Sequence, residues 1–224
     1  MKLKRIWYKK TNFFDSLKPQ FYVQATNYNR FMKNEAFYTL VNNLECINDD
    51  MLVFSKSCRS EIRRAMKDNL IINERDGLSD DFIIKYNQFA ELKGLSSISL
   101  TALNNLSSHY YEFNILQDKK LLVSHLCHLD EKTSTARLLF SYTNIELSSD
   151  FRSVIGRANR YLHFSSMQKL KSMGFTQYDF GGISTGDIVH FNGIDNFKNS
   201  FNGEIKLYYN SVPFFIFLLS KLRG

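Results

Sequence analysis

The sequence predicts one α/β domain of the α+β kind: a mixed, mostly antiparallel sheet flanked by helices and carrying one β-α-β crossover. Three observations lead there. The chain has 224 residues, of which 44% are hydrophobic, enough to bury one large core. Three strand-like runs follow one another with polar connections of hairpin length, and a later helix passes through Gly174 into a further strand. Charges are mixed along the chain, prolines number 2 and no short unit repeats, so residues 1–224 are expected to be ordered as one domain. Residues 1–35 then form an N-terminal extension or an edge element of it.

The elements can be justified in order. Ala36 to Leu44, rich in aromatic and β-branched residues, reads as a strand. From Ser57, with that serine as N-cap and Glu61 near the positive end of the dipole, Cys58, Ile62, Ala65 and Met66 recur at helical spacing. Arg59, Arg63 and Lys67 line another face at steps of four. Leu70 to Asn73 reads as a short strand, and Asp81 to Leu92 as a helix with Phe82, Tyr86 and Phe89 inward, ended by Gly94.

Tyr110 to Leu116, Lys120 to Leu129 and Thr135 to Ile145 form an antiparallel meander. A loop over Leu147 to Ala158 leads into a helix from Asn159 to Met173, then a strand from Phe175 to Phe180 that ends in Gly181-Gly182. Such a crossover sets its two strands parallel in one sheet. Ile205 to Tyr209 closes the sheet. The apolar Val212 to Leu222 is too short to span a bilayer, and reads first as a core strand or helix, second as a peripheral membrane contact.

A net charge of +7 favours an anionic partner such as nucleic acid, a nucleotide or an anionic membrane. Cys46, Cys58 and Cys127 have neither disulfide-framework nor zinc spacing, which fits a reducing cytoplasm, and the basic N-terminus lacks the apolar run of a signal peptide. His125 and His128 fall on opposite faces of one strand and cannot act as a metal pair there. There is no Walker loop, dinucleotide fingerprint or Ser-His-Asp motif.

Candidate chemistry gathers late in the chain. Gly156-Arg157-Ala158-Asn159, read as a turn before a helix, offers unpaired N–H groups to a phosphate, or else is a plain turn with Asn159 as cap. His163 is a base near the site or a core-edge imidazole. Asp179, at the end of the crossover strand, either holds its loop or orients an acceptor amine. Lys198, beside Phe197, is a surface lysine or a fixed charge for an oxyanion. The row of Arg59 and Arg63 grips phosphates or is a solvated face.

SCRSEIRRAMKDN, ANRYLHFSSMQKLKSMGFTQYDFGGIS and IDNFKNSFNGE, in this order and spacing, resemble the Fem peptidyltransferases and related acetyltransferases of the GNAT superfamily. The likeness covers about Phe37 to Tyr209. It implies a sheet whose middle strands splay around the donor's carbonyl arm, and direct attack by an amine on a donor ester or thioester. On it Phe197 and Lys198 match the pair at the reacting end of the donor and Asp179 the strand-end acid, chemical or architectural; with His163, a candidate from its place on the helix, the catalytic candidates are Lys198, Asp179 and His163. Donor contacts fall on Phe140, Ser141, Tyr142, Gly156, Arg157, Ala158, Asn159 and Phe197, and acceptor contacts on Arg59, Arg63, Tyr178 and Gly181. The implied donor is acyl-CoA, acetyl-CoA among them, or an aminoacyl-tRNA; the acceptor is a small amine, an amino sugar or an envelope precursor, with no metal. Two departures stand out. Fem proteins usually carry two such domains, and the acetyl-CoA loop pattern is retained here only in part.

Overall fold

The computed structural model describes residues 3–106, 109–144, 151–184 and 192–222. Its strands are β1 (Lys4–Trp7), β2 (Gln20–Ala25), β3 (Met32–Asn43), β4 (Ile71–Asp76), β5 (Tyr110–Gln117), β6 (Lys120–Asp130), β7 (Thr135–Thr143), β8 (Gln177–Gly182) and β9 (Glu204–Pro213). The helices are α1 (Lys56–Ala65), α2 (Phe82–Leu92), α3 (Leu100–Leu106), α4 (Arg152–Ser172), α5 (Asn192–Asn199) and α6 (Phe214–Lys221). All described strands join one sheet in the order β1-β2-β9-β3-β8-β7-β6-β5-β4.

The predicted meander β5-β6-β7 is antiparallel, and the crossover through α4 makes β7 and β8 parallel. A second parallel pair, β1 with β2, lies at the far edge and had no signal in the sequence. Alternation along β5 divides the core. Tyr111, Phe113 and Ile115 pack with Cys58 and Ile62 of α1 and with Ala158, Leu162 and Met167 of α4. Tyr110 turns to the other face, against Phe82, Tyr86 and Ala90 of α2 and Leu103 of α3.

Three local expectations are corrected. Ser55, not Ser57, caps α1: its backbone is extended and its Oγ accepts from the Cys58 amide at 3.3 Å, while Ser57 is already helical. Met66 lies past the last turn and is exposed. Most consequentially, α4 starts at Arg152, seven residues before the expected Asn159. A glycine inside a helix costs only about 1 kcal/mol. Val154, Ala158 and Leu162, at steps of four, bury one face of that first stretch against the core and outweigh it. The helix ends as expected at Gly174, whose φ of +92° suits glycine.

The C-terminal segment is a helix, but not a core one. Ile216 is buried, whereas Phe214, Phe215, Leu218 and Leu219 face solvent.

Candidate active site

The cleft begins where two parallel strands stop pairing. β7 and β8 are in register only at Thr135↔Gln177, Ala136↔Tyr178 and Arg137↔Asp179. Beyond, β7 follows β6 and β8 follows β3. Each has a bulge at the parting point. On β7, Leu138 pairs with Cys127 and Phe140 with Leu126, so Leu139 is an extra residue. On β8, Asp179 pairs with Val41 and Gly182 with Thr39, so one extra residue again intervenes, next to Gly181 at φ +77°. A bulge bends its strand and breaks the ladder locally. Two of them at one level open the sheet toward the C-terminal ends of β7 and β8, where open α/β sheets bind ligands.

Asp179, 0% exposed, organises the vertex. Its Oδ2 accepts from the Tyr8 hydroxyl at 2.9 Å and from Gln24 Nε2 at 2.7 Å. Its Oδ1 accepts from the Gly181 amide at 2.7 Å and meets the Thr39 hydroxyl, which also reaches the Gly181 carbonyl at 2.8 Å. Tyr8 and Gln24 both adopt left-handed backbone, φ 48° and 51°, a conformation that persists only where the surroundings enforce it. Burial, and then the Asp179 charge, push the Tyr8 phenol well above its ordinary pKa, so it stays a donor. Arg137 Nε lies 3.9 Å from Oδ2, with the guanidinium held 5.0 Å from the Trp7 ring and 5.3 Å from Phe37.

α5 is tied to the end of β8 by two of its residues one turn apart. Asp195 accepts from the amide and hydroxyl of Ser184, and Lys198 Nζ donates to the Gly182 carbonyl at 2.5 Å. Lys198 therefore stands at the cleft mouth. Burial lowers its pKa; Asp195 and Asp179 oppose that effect and Arg137 adds to it, so all three charges reach the ammonium. Phe197 lies under the Arg160 guanidinium, 4.8 Å from its centre, and Arg160 Nη1 donates to the Gly156 carbonyl at 3.1 Å. The region of Gly156 and Lys198 are thus linked through Arg160 and Phe197.

His163 is 2% exposed, with its ring 4.7 Å from Phe180, 5.5 Å from Phe197 and 4.1 Å from His125. Its Nδ1 is 3.0 Å from the Tyr178 hydroxyl. Burial holds its pKa well below the usual value, and burial likewise brings His125 down to about 4. His163 thus lies in the core among aromatic rings, where burial disfavours its charged form. Alternation turns Tyr178, expected at the acceptor, into the α4 core, while Asp179 faces the other way.

The remaining expected residues divide. Gly156, Arg157, Ala158 and Asn159 are not a turn; they lie inside α4, where backbone N–H groups belong to the helical ladder. Arg157 Nε is taken by Asp68 at 2.7 Å, Ala158 is buried, and Asn159 Oδ1 meets His125 Nε2 at 2.8 Å. Phe140 and Tyr142 turn away to pack on Tyr86 and Phe82 of α2, while Ser141, paired with His125, shares the α4 face. Arg59 and Arg63 are engaged elsewhere, donating to the carbonyls of Leu52 and Asp50. Gly181, Asp179, Phe197 and Lys198 do come together at the parting strands.

Tyr8, Gln24, Arg137 and Arg160 escaped the sequence reading. Only Arg160 had a signal, one helical turn beyond Gly156; the others meet Asp179 through contacts of very long sequence separation. A separate cavity of about 740 Å³, lined by none of the residues at the vertex, reaches from Tyr142 and Asn144 at the end of β7 to Glu112, Asn114 and Ser79.

No protein-family model matches the sequence, and no curated protein sequence matches it. Solved structures do. The C-terminal DUF2156 domain of a putative lysylphosphatidylglycerol synthetase from Agrobacterium fabrum aligns with a TM-score of 0.62 at 12% identity, covering 87% of this chain and 67% of that one. FemX aligns with a TM-score of 0.62 at 14% identity, over 81% and 63%. L-PGS from Bacillus licheniformis aligns at 0.59 and 10% identity, over 91% and 72%. The chain thus spans about two thirds of each of these structures. At such identities the likeness speaks for the fold alone: the chain shares the mixed α/β sheet architecture of these structures.

Proposed function

We propose that the protein is an N-acyltransferase that moves an acyl group from an acyl-CoA-like thioester to the amine of an amino sugar or envelope precursor. The observation that carries this reading is the parting of β7 and β8 just beyond Arg137 and Asp179, with Lys198 at the mouth. A thioester arm laid between the strands exposes its carbonyl there. A neutral acceptor amine attacks the carbonyl carbon, the C–N bond forms, and negative charge develops on oxygen. Lys198, fixed on the end of β8, stabilises that charge. Collapse breaks the C–S bond, and the amine's proton leaves with the thiolate. Because the buried His163 is not within reach as a base, most of the acceleration falls to positioning and electrostatics. The expected phosphate contact at Gly156 to Asn159 moves to the first turn of α4, whose leading amides lack intrahelical partners. Three free cysteines, Cys46, Cys58 and Cys127, fit a cytoplasmic setting for this chemistry.

The net charge of +7 and the likeness to FemX support a second donor, an aminoacyl-tRNA ester entering the same cleft. A panel assay decides among the readings: the purified chain is mixed with thioesters or charged tRNAs and with amine acceptors, and products are read by mass spectrometry. Amide formed from a thioester supports the first reading. Transfer only from charged tRNA, with affinity falling steeply as salt rises, supports the second. A folded protein that transfers from neither donor overturns both and leaves a binding module on this fold.

A further inference from the structure

The surface at α6 is unlike an ordinary solvated helix face. Phe214 is 47% exposed and Leu218 59%, and Phe215 and Leu219 are exposed beside them, so four large apolar side chains lie bare within two turns. A second apolar group stands at the same end of the sheet. The Phe13 ring lies 5.0 Å from Phe31, and the residue after Phe31, Met32, pairs with Pro213 at the foot of α6.

Cations are threaded through both groups. Arg30 lies 4.7 Å over the Phe31 ring, and Lys33 and Lys221 approach Phe217 at 5.8 and 5.7 Å. Carboxylates are scarce here. Residues 9–36 carry Lys9, Lys10, Lys18, Arg30 and Lys33 against Asp15 and Glu35, and Asp15 is enclosed by Lys9 and Lys18; residues 209–222, from the α6 end of β9 onward, carry Lys221 and no carboxylate side chain.

We infer that this end of the molecule docks on a bilayer surface that bears anionic lipid. Aromatic and aliphatic side chains interleaved with Lys and Arg suit the headgroup boundary, where apolar burial and attraction to anionic lipid add together. Among the described residues no helix is long and apolar enough to cross a membrane, so α6 lies along the interface. The placement relative to the cleft follows from register. β8 ends at Gly182 opposite Thr39, and β3 continues from Thr39 back to Met32 and the foot of α6. The docking surface is therefore at the end toward which the cleft opens, about 23 Å further along the strands.

Vesicle flotation with the whole chain tests this. Vesicles of phosphatidylcholine alone are compared with vesicles containing about one third phosphatidylglycerol at low salt. The chain is expected to float with the anionic vesicles. Retention should fall at least about tenfold on neutral vesicles, in the double variant L218E/L219E and in R30E/K33E. These side chains are exposed and lie outside the cleft. Absence of flotation with anionic vesicles, or flotation unaffected by L218E/L219E, overturns the inference. A dimer in sedimentation that L218E/L219E dissociates, without vesicle binding, assigns the face to a second copy and overturns it too. Acyl transfer to soluble amines is read separately, so loss of the docking claim leaves the transferase reading standing.

Discussion

Arg137 and Asp179 are the last residues that β7 and β8 hold in register before they part, and the guanidinium Nε of one lies 3.9 Å from the carboxylate of the other. An ion pair whose carboxylate is buried and whose guanidinium is partly exposed thus sits at the vertex of the cleft, flanked on one side by the Trp7 and Phe37 rings and on the other by Tyr8, Gln24, Thr39 and the Gly181 amide.

Removing the carboxylate leaves several buried donors without an acceptor. Asp179→Ala is expected to destabilise the protein by about 3–5 kcal/mol in urea unfolding, and Asp179→Asn, which keeps one acceptor oxygen, by less. A change of under about 1 kcal/mol for the alanine variant would show that the network is dispensable.

Lys198 carries the proposed oxyanion contact while its charged end touches only the rim of the sheet. Lys198→Ala should lower kcat by about two orders of magnitude or more while the unfolding midpoint stays nearly constant. Lys198→Arg should recover part of the rate. Full turnover by the alanine variant in the transfer assay would remove Lys198 from the mechanism.

Gly156 separates a helix from a phosphate-holding turn. A Cβ there would meet only Arg160 Nη1 at 3.9 Å. In a helix interior Gly156→Ala should therefore raise stability by about 1 kcal/mol, read as a higher midpoint in thermal or urea unfolding. A destabilised variant with weakened donor binding would restore the turn.

His125, brought down to about 4 by burial, and His163, lowered well below its ordinary value by the same cause, favour the neutral form when folded. An unfolded chain takes up their protons near pH 6.5, so it binds more protons than the folded one below that value. Their contribution is complete above pH 6.5 and is lost as pH falls toward 4, with His125 alone accounting for about 3 kcal/mol. Urea unfolding at pH 7 and pH 4.5 should show that loss. A flat profile across this window would mean that both rings are hydrated.

Which segments could be recognised in advance follows from how local their determinants are. The β5-β6-β7 meander, α2 and the crossover into β8 announce themselves because alternation, turn residues and Gly174 act within a few positions. The start of α4 was misplaced because Gly156 is a local discouragement worth about 1 kcal/mol, overruled by burial of Val154, Ala158 and Leu162 against strands far away in sequence. The apolar tail was expected in the core because hydrophobicity states what a side chain prefers, not whether space remains for it.

At the site the same division holds. Lys198, Phe197, Asp179 and Gly181, candidates singled out with the help of the family resemblance, lie in short runs near the end of β8, and the order of elements made a parallel crossover inevitable. Tyr8 and Gln24 reach Asp179 across 171 and 155 residues, through left-handed backbone that no propensity favours, and Arg137 is indistinguishable along the chain from any strand residue. Residue pattern is enough for contacts within an element or between hairpin neighbours. Which polar groups share one buried carboxylate, and where two strands separate, depends on packing across the whole sheet, because only the assembled structure removes the water that would otherwise satisfy those groups.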